Sequence, residues 1–547
     1  TLRRRRSGAV REAGEAATMQ AVHRWLTKRA YMHPQRIALY VPDGAGEYVP
    51  MTYRELERRV HRLAAALSAA GLARGDRLAV LSLNSPQFVE TLFAAAHLGL
   101  IVVPLNIRLS LREWRQQLND SGARMLLLGP EYERHEADLL TETPLERVVK
   151  LPPDLLAETA SAFGADVDAA PFAPAPPVTD SVGLDDPFVI LYTSGTTGTP
   201  KGAVLTHGNQ LANALNACMT LDIRSEDTSI TLLPMFHAGG IGLFTLPTLY
   251  AGGTVVLPRQ FDAGEALRLI EQLKVTVVFG VPTIHRSLLE HPDFDQRDLR
   301  SVRWFYSGGA PCPLDLIKAF HDRGFRFGQG YGLTETSPTH FLLVPEDFQR
   351  KAGTIGRPSM HAEARIVDEH GRDVPPGVVG EVVVAGPNVV REYWRRPEET
   401  AAAFKDGWFY TGDLGRMDEE GYVTLVGRRK EMIISGGENI YPIEVEQVLE
   451  SHPDIVEAAV VGLPDRRWGE TPHAAVVLRP GVTQLPEDLT AWCRERLAGY
   501  KVPKSFLVLD ALPRNAAGKV QKPQLAEMIR EARGLPAPEA SAGATGR

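Results

Sequence analysis

A chain of 547 residues is too long for one ordinary domain and predicts two or three. Its 44% apolar residues suffice for a sizeable core, and a formal net charge of -7 argues against a nucleic-acid scaffold. Three cysteines, Cys218, Cys312 and Cys493, lie far apart without metal-ligand spacing and fit structural thiols in a reducing, cytoplasmic compartment.

Residues 1–18 contain Arg3-Arg4-Arg5-Arg6 but no sustained apolar period, and Glu12 and Glu15 sit badly in a transit peptide. A disordered extension with a start at Met19 is expected, the alternative being a polybasic segment with at most peripheral membrane contact. No apolar run reaches the roughly 18 residues that a spanning helix needs. From Met51 the pattern becomes regular: Thr52-Tyr53-Arg54-Glu55 reads as a capping box, and Leu56, Val60, Leu63 and Leu67 follow at helical spacing until Gly71. A strand over 77–83, a helix near 87–97, a strand over 100–104, a second box at Ser110-Leu111-Arg112-Glu113 and a strand over 125–128 come next. Such alternation predicts an α/β fold, with a parallel sheet covered by helices on both faces. Residues 165–178 are Pro/Ala-rich and read as a surface connector.

The apolar strand Phe188 to Leu191 runs into Tyr192-Thr193-Ser194-Gly195-Thr196-Thr197-Gly198-Thr199-Pro200-Lys201-Gly202. Hydroxyls together with glycines that expose backbone N–H groups suit phosphate oxygens, and Lys201 adds a point charge. The nucleoside-triphosphatase loop requires Ser or Thr after its lysine, whereas Gly202 stands there. A flexible surface loop is the competing reading.

Further on, His237 lies in Pro234-Met235-Phe236-His237-Ala238-Gly239-Gly240, and a solitary His is more often a structural residue than a catalyst. Ser307-Gly308-Gly309-Ala310-Pro311 ends a strand with so little bulk that a planar ring can approach the backbone. Gly328-Gln329-Gly330-Tyr331-Gly332-Leu333-Thr334-Glu335-Thr336 combines an aromatic, a hydroxyl and a carboxylate that suits Mg²⁺ beside a triphosphate. Tyr410-Thr411-Gly412-Asp413 offers an acidic acceptor for a ribose diol, and Pro513-Arg514-Asn515-Ala516-Ala517-Gly518-Lys519-Val520 is a turn-rich segment with one lysine near its tip.

These motifs, in this order, resemble the adenylate-forming superfamily of acyl-CoA synthetases, luciferases and peptide-synthetase adenylation domains, over roughly Val22 to Ile529. The resemblance implies a large N-terminal domain of helix-covered β-sheets over 19–427, a hinge at 428–431, a small mobile α+β domain over 432–529, and a disordered tail over 530–547. Thr193, Ser194, Gly195, Thr196, Thr197, Gly198 and Lys201 would hold the β- and γ-phosphates, and Gly309, Ala310 and Pro311 with Tyr331 and Gly332 would hold adenine. Thr334 would contact the α-phosphate and Glu335 the Mg²⁺, while Asp413 and Arg428 would bind the ribose. Lys430 matches the hinge, although Glu431 stands where the family more often has Asp. Lys519 would bridge the substrate carboxylate and the α-phosphate, and Gly437 would border the CoA tunnel.

The activity so implied is two-step ligation of a carboxylic acid to CoA with ATP, through an acyl adenylate. His237 stands near the place where amino-acid adenylation domains carry an Asp, which argues for an acid without an α-amine. Phe236, Gly239, Gly240, Phe279, Gly280, Val281, Tyr306, Gly330 and Leu333 are the expected acyl-pocket lining, and their apolar character favours a medium- or long-chain fatty acid, with a phenylpropenoate-type aryl acid as the alternative. Free CoA is the simplest acceptor; a separate carrier protein is the other. A regulator that keeps the fold without turnover, and a membrane-associated partner in fatty-acid uptake, are the competing classes. No nucleic-acid partner is expected, and the oligomeric state stays open, a homodimer included.

Overall fold

The computed structural model describes residues 21–164, 182–193, 200–436, 438–515 and 518–534. The expected N-terminal extension, the connector, Ser194, Gly195, Thr196, Thr197, Gly198 and Gly437 lie outside the described residues. The chain forms two compact units, one running to Ala364 and including Val384–Phe409, the other comprising Arg365–Val383 and Tyr410 onward.

The strands of the first part of the chain are β1 (Ile37–Pro42), β2 (Tyr48–Thr52), β3 (Arg77–Leu81), β4 (Ile101–Pro104), β5 (Met125–Leu128), β6 (Arg147–Lys150), β7 (Pro187–Thr193) and β8 (Lys201–Thr206). They are followed by β9 (Thr228–Thr231), β10 (Thr254–Val256), β11 (Val277–Gly280), β12 (Trp304–Ser307), β13 (Phe327–Tyr331), β14 (Phe341–Leu342) and β15 (Arg357–Pro358). One sheet runs β6-β5-β3-β4-β7-β8, parallel except for the final hairpin. A second, nine-stranded sheet runs β15-β14-β13-β12-β11-β9-β10-β1-β2, parallel from β13 to β1 and antiparallel at both ends.

The near-continuous apolar character of β3, β4 and β5 follows from burial on both faces. Leu78, Val80, Val102 and Leu127 join one core cluster, while Ala79, Leu81, Val103 and Leu128 join another. The helix Tyr53–Ala69 buries the expected Leu56, Val60, Leu63 and Leu67. Its capping box is only half formed: Thr52 accepts from the Glu55 amide, but the Glu55 carboxylate is taken by Arg58 at 2.6 Å. At Ser110 and Glu113 both halves of the box are present.

Later strands are β16 (Glu363–Val367), β17 (Gly380–Ala385), β18 (Phe404–Lys405), β19 (Trp408–Met417) and β20 (Val423–Arg428), in a sheet ordered β16-β17-β19-β18 with β20 on β19. The last sheet contains β21 (Ile433–Ser435), β22 (Glu438–Ile440), β23 (Ile455–Asp465), β24 (Gly469–Leu478) and β25 (Phe506–Val508), ordered β22-β21-β24-β23 with β25 on β24. The helices Pro442–Glu450 and Leu489–Arg496 cover one face of it, through Val445, Leu449, Leu489 and Cys493. Leu525 and Ile529 of the helix Lys522–Ala532 pack on Ala459, Val461 and Ala475 of the other face, which makes this part α+β.

Candidate active site

Ligands in open α/β sheets bind beyond the carboxyl ends of the parallel strands. At those ends of β9, β11, β12 and β13 lie Thr231, Gly280, Ser307 to Pro311, and Tyr331, so two of the segments singled out in the sequence end on adjacent strands there. Gly309, Ala310 and Pro311 are exposed, leaving an open backbone surface after β12. Gly332 is required by a close approach, since a Cβ there would lie 1.5 Å from the Pro338 carbonyl oxygen.

The strands that flank the hydroxyl-rich segment, β7 and β8, pair antiparallel. Thr193 closes β7 and Lys201 opens β8 directly opposite it, and the Thr193 hydroxyl donates to the Lys201 carbonyl at 3.4 Å. The next helix starts only at His207, after β8 is complete, which separates this loop from the nucleoside-triphosphatase kind.

Glu335 sits in a short helical turn, Thr334–Thr336, directly after β13, and is buried. A strap over 387–394, absent from the sequence reading, holds this turn against the hairpin. Buried Asn388 donates to the carbonyls of Thr336 and Thr339 at 3.0 and 2.8 Å, and the Val390 amide donates to the Glu335 carbonyl at 2.8 Å. On the hairpin side Trp394 donates to Gly202 at 2.7 Å, and Tyr393 bridges Ala203. The Tyr393 hydroxyl then donates to Glu335 Oε1 at 2.8 Å, while the Lys201 ammonium lies over the Tyr393 ring, 5.6 Å from its centre.

At the carboxyl end of β9 lies a small cavity lined by Ile230, Thr231, Leu232, Leu233, Gly239, Phe244, Thr245 and Phe279. Gly239 and Phe279 were expected there. Phe244, Thr231 and Thr245 were not, because nothing in the local sequence sets them apart from core residues. The Phe244 ring meets those of Phe279, Trp304 and Tyr306 at centroid separations of 5.3, 5.4 and 6.4 Å. Tyr306 is fixed at its far end by the Leu343 backbone, and a Cβ at Gly330 would lie 3.1 Å from its ring. Phe236 packs on His237 with ring centres 4.5 Å apart and is not part of the lining. His237 opens the turn that leads into the π-helical segment Gly239–Leu243, and Asn84, another residue the sequence did not reveal, holds the start of that loop by accepting from the Met235 amide at 2.8 Å.

The second unit carries its own set. Asp413 on β19 and Arg428 on β20 are register partners joined by an ion pair of 2.9 Å, so two residues expected at one ribose stand together. Neighbouring Gly412 donates to Glu381, which also pairs with Arg429 at 3.1 Å. Lys430 is exposed in the turn Arg429–Glu431. Lys519 is exposed on the returning arm of a narrow hairpin, in which Arg514 bridges Val520 and Asn515 exchanges hydrogen bonds with the Lys519 backbone.

The donor set suits Mg²⁺. Among the described residues no three His, Cys, Asp or Glu side chains gather as a metal cage, and Glu335 Oε2 accepts no hydrogen bond. One buried carboxylate with an oxygen to spare matches the habit of Mg²⁺, which relies on a carboxylate or two, substrate phosphates and water. The cysteines are unpaired, and burial pushes Cys218 and Cys312 up to about 12 and Cys493 to about 11, which suits packing rather than nucleophilic chemistry.

Loop and acidic-turn groups on a large unit, with the acid–arginine pair and a loop lysine on a small one, are the parts of an adenylate-forming enzyme. The chain belongs to the AMP-binding enzyme family, which matches residues 26–394, with the AMP-binding enzyme C-terminal domain matching residues 444–519. It is 44% identical over 503 residues to a feruloyl-CoA synthase of an Amycolatopsis species, covering 92% of this chain and 98% of that protein. The long-chain-fatty-acid–CoA ligase FadD13 of Mycobacterium tuberculosis is 38% identical over 510 residues, covering 92% and 97%. Among solved structures, o-succinylbenzoate CoA synthetase of Bacillus subtilis with its acyl-adenylate intermediate superposes with a TM-score of 0.81 at 37% identity, over 92% of this chain and 97% of that one. The same enzyme is also known with ATP and magnesium ion.

Proposed function

We propose that the acid activated by this chain is an aryl acid of the arylpropenoate type. The chain is an acid–thiol ligase of the AMP- and pyrophosphate-forming kind, with ATP and CoA as co-substrates. In the first half-reaction an oxygen of the substrate carboxylate bonds to the α-phosphorus and pyrophosphate leaves. In the second the CoA sulfur bonds to the acyl carbon and AMP leaves. Thr193 and Lys201 hold the outer phosphates, Thr334 the α-phosphate, and Asp413 with Arg428 the ribose. Lys519 supplies positive charge where carboxylate and phosphate must meet, and 428–431 is the pivot that withdraws it between the two halves. Glu335 would hold Mg²⁺ beside the phosphates, where the ion would supply positive charge as pyrophosphate leaves.

The observation that carries the aryl reading is the cavity wall of Phe244 and Phe279 backed by Trp304 and Tyr306, which offers edge and face contacts to a flat ring. Its hydroxyls sharpen the reading. Thr245 donates to the Gly240 carbonyl at 2.7 Å, so in the 2.7 Å contact between Thr231 and Thr245 the proton comes from Thr231. Thr231 Oγ1 is left as an acceptor at the cavity wall, suited to a phenolic hydroxyl. The fatty-acid reading draws on the aliphatic lining of Ile230, Leu232 and Leu233 and on the kinship with FadD13.

CoA-dependent AMP release across decanoate, palmitate, cinnamate, 4-hydroxycinnamate and 4-methoxycinnamate separates the two. A maximum at 4-hydroxycinnamate is expected, on the order of tenfold above the methyl ether, and Thr231→Val should narrow that ratio while leaving cinnamate turnover in place. A maximum at a fatty acid overturns the aryl reading.

A further inference from the structure

Glu335 and Lys201 bear opposite charges, belong to different segments, and both rest against one residue that no motif marks. Tyr393 lies 58 positions from Glu335, and its hydroxyl donates to Oε1 of that carboxylate at 2.8 Å, both side chains being buried. An ionised carboxylate can only accept, so the phenol is the donor in this contact. The face of the same ring carries the Lys201 ammonium, with 5.6 Å between nitrogen and ring centre. Tyr393 is itself fixed through the bridge to Ala203 and by its amide donating to the Thr400 hydroxyl at 3.0 Å.

We propose that Tyr393 is a positioning residue for the cation that accompanies ATP: its hydroxyl fixes one Glu335 oxygen, so that the other faces the cation, and its ring holds Lys201 for the phosphates. This rests on the reading of Glu335 as the cation's protein ligand. The physical logic is that of a fixed outer partner. A carboxylate has acceptor capacity for about four hydrogen bonds, and one neutral donor orients it without cancelling its charge. Without the hydroxyl, the buried carboxylate is free to rotate about its last torsion, and Lys201, which contacts the same ring, carries a charge that would draw it in. An ion pair between them would remove a ligand from the cation and a counter-charge from the phosphates together. The ring matters for a second reason, because Lys201 rests over it.

The test is calorimetric binding of ATP to the full chain at a series of Mg²⁺ concentrations, with no acid or CoA present, for the wild type, Tyr393→Phe, Tyr393→Leu and Glu335→Gln. In Tyr393→Phe the ring remains. ATP affinity at saturating Mg²⁺ should stay near wild type, while the Mg²⁺ concentration for half-maximal enhancement should rise on the order of tenfold, the usual lower bound for loss of an outer partner. In Tyr393→Leu ATP affinity should fall even at saturating Mg²⁺, as Lys201 loses its platform. An unchanged Mg²⁺ requirement in Tyr393→Phe, alongside a raised one in Glu335→Gln, overturns the role of Tyr393 alone. An unchanged requirement in Glu335→Gln overturns the reading on which it rests. Loss of ATP binding in Tyr393→Phe at every Mg²⁺ concentration assigns the residue to structural support and equally overturns the proposal.

Discussion

Glu335 in the large unit is held by a neutral phenol, whereas Lys522 in the small one lies between two carboxylates, Glu446 at 2.9 Å and Glu431 at 3.1 Å. Burial opposes charge at Lys522, but the two carboxylates more than offset it and keep its pKa above the usual lysine range. Its charge is spent within the protein, tying the helix Lys522–Ala532 to the helix Pro442–Glu450 and to the turn Arg429–Glu431. The charge of Glu335 is only oriented. A buried ion with a neutral partner is therefore the one to examine for ligand chemistry, and a buried ion flanked by counter-charges the one to examine for architecture. The contrast also accounts for Glu431, where the family more often has Asp, since the longer acid reaches Lys522.

The largest effect expected along this line comes from Lys519, three positions from Lys522 but exposed. Lys519→Ala should lower adenylate formation by on the order of a hundredfold or more, measured as pyrophosphate exchange, yet spare CoA attack on a supplied acyl adenylate. Equal loss of both halves would remove it from the role assigned. Lys522→Met should do the opposite, leaving folded enzyme able to form adenylate but stripping two carboxylates of their shared cation. A loss of about 2 to 3 kcal/mol in denaturant unfolding is expected, below the range for a fully buried pair because Glu431 remains partly exposed. A variant with unchanged stability would dissolve the comparison.

A third test uses charges that are kept out altogether. His23, His61 and His97 meet ring to ring in the first unit, and His207 donates no charge relief, its Nδ1 accepting from the Val22 amide. Burial, with neighbouring His207, His97, Arg24 and His61, lowers His23 to about 3, and burial lowers His61 and His207 to about 4. These groups stay neutral in the folded state while the unfolded chain takes up protons below about 6.5, so the unfolded state binds more protons there. The histidine contribution to stability should be flat above that pH, fall as pH drops from about 6.5, and level off as the folded values are passed, about 4 for His61 and His207 and about 3 for His23. Replacing His23 with Phe should flatten the slope in a thermal melt series; an unaltered slope would assign the acid sensitivity elsewhere. The smallest effect is expected where no ion is buried: Ser110→Ala removes an exposed capping box, with a loss of about 1 kcal/mol and neither half-reaction altered.

Much of this was legible in the chain itself. Alternating apolar runs and helical spacing marked β3, β5 and the helix Tyr53–Ala69 because burial on two faces, or on one stripe, imposes those periods directly on the sequence. The expected strand over 77–83 stops at Leu81, since Ser82 turns its hydroxyl onto the Leu83 carbonyl and leaves the ladder. Glycine- and hydroxyl-rich segments were visible because close backbone approach and phosphate chemistry need consecutive residues.

By itself, then, the sequence determined the layered α/β class, the order of the chemistry-bearing segments and the family, all of which are written in residues near one another along the chain. Only the tertiary structure decided that Tyr393 would contact both Lys201 and Glu335, that Thr231 would lend its proton to Thr245, and that Lys522 would be neutralised by two carboxylates. Such choices depend on which distant strands and turns come to lie side by side, and on whether the partner waiting there is a neutral donor or a counter-charge. Neither leaves a period or a spacing in the sequence.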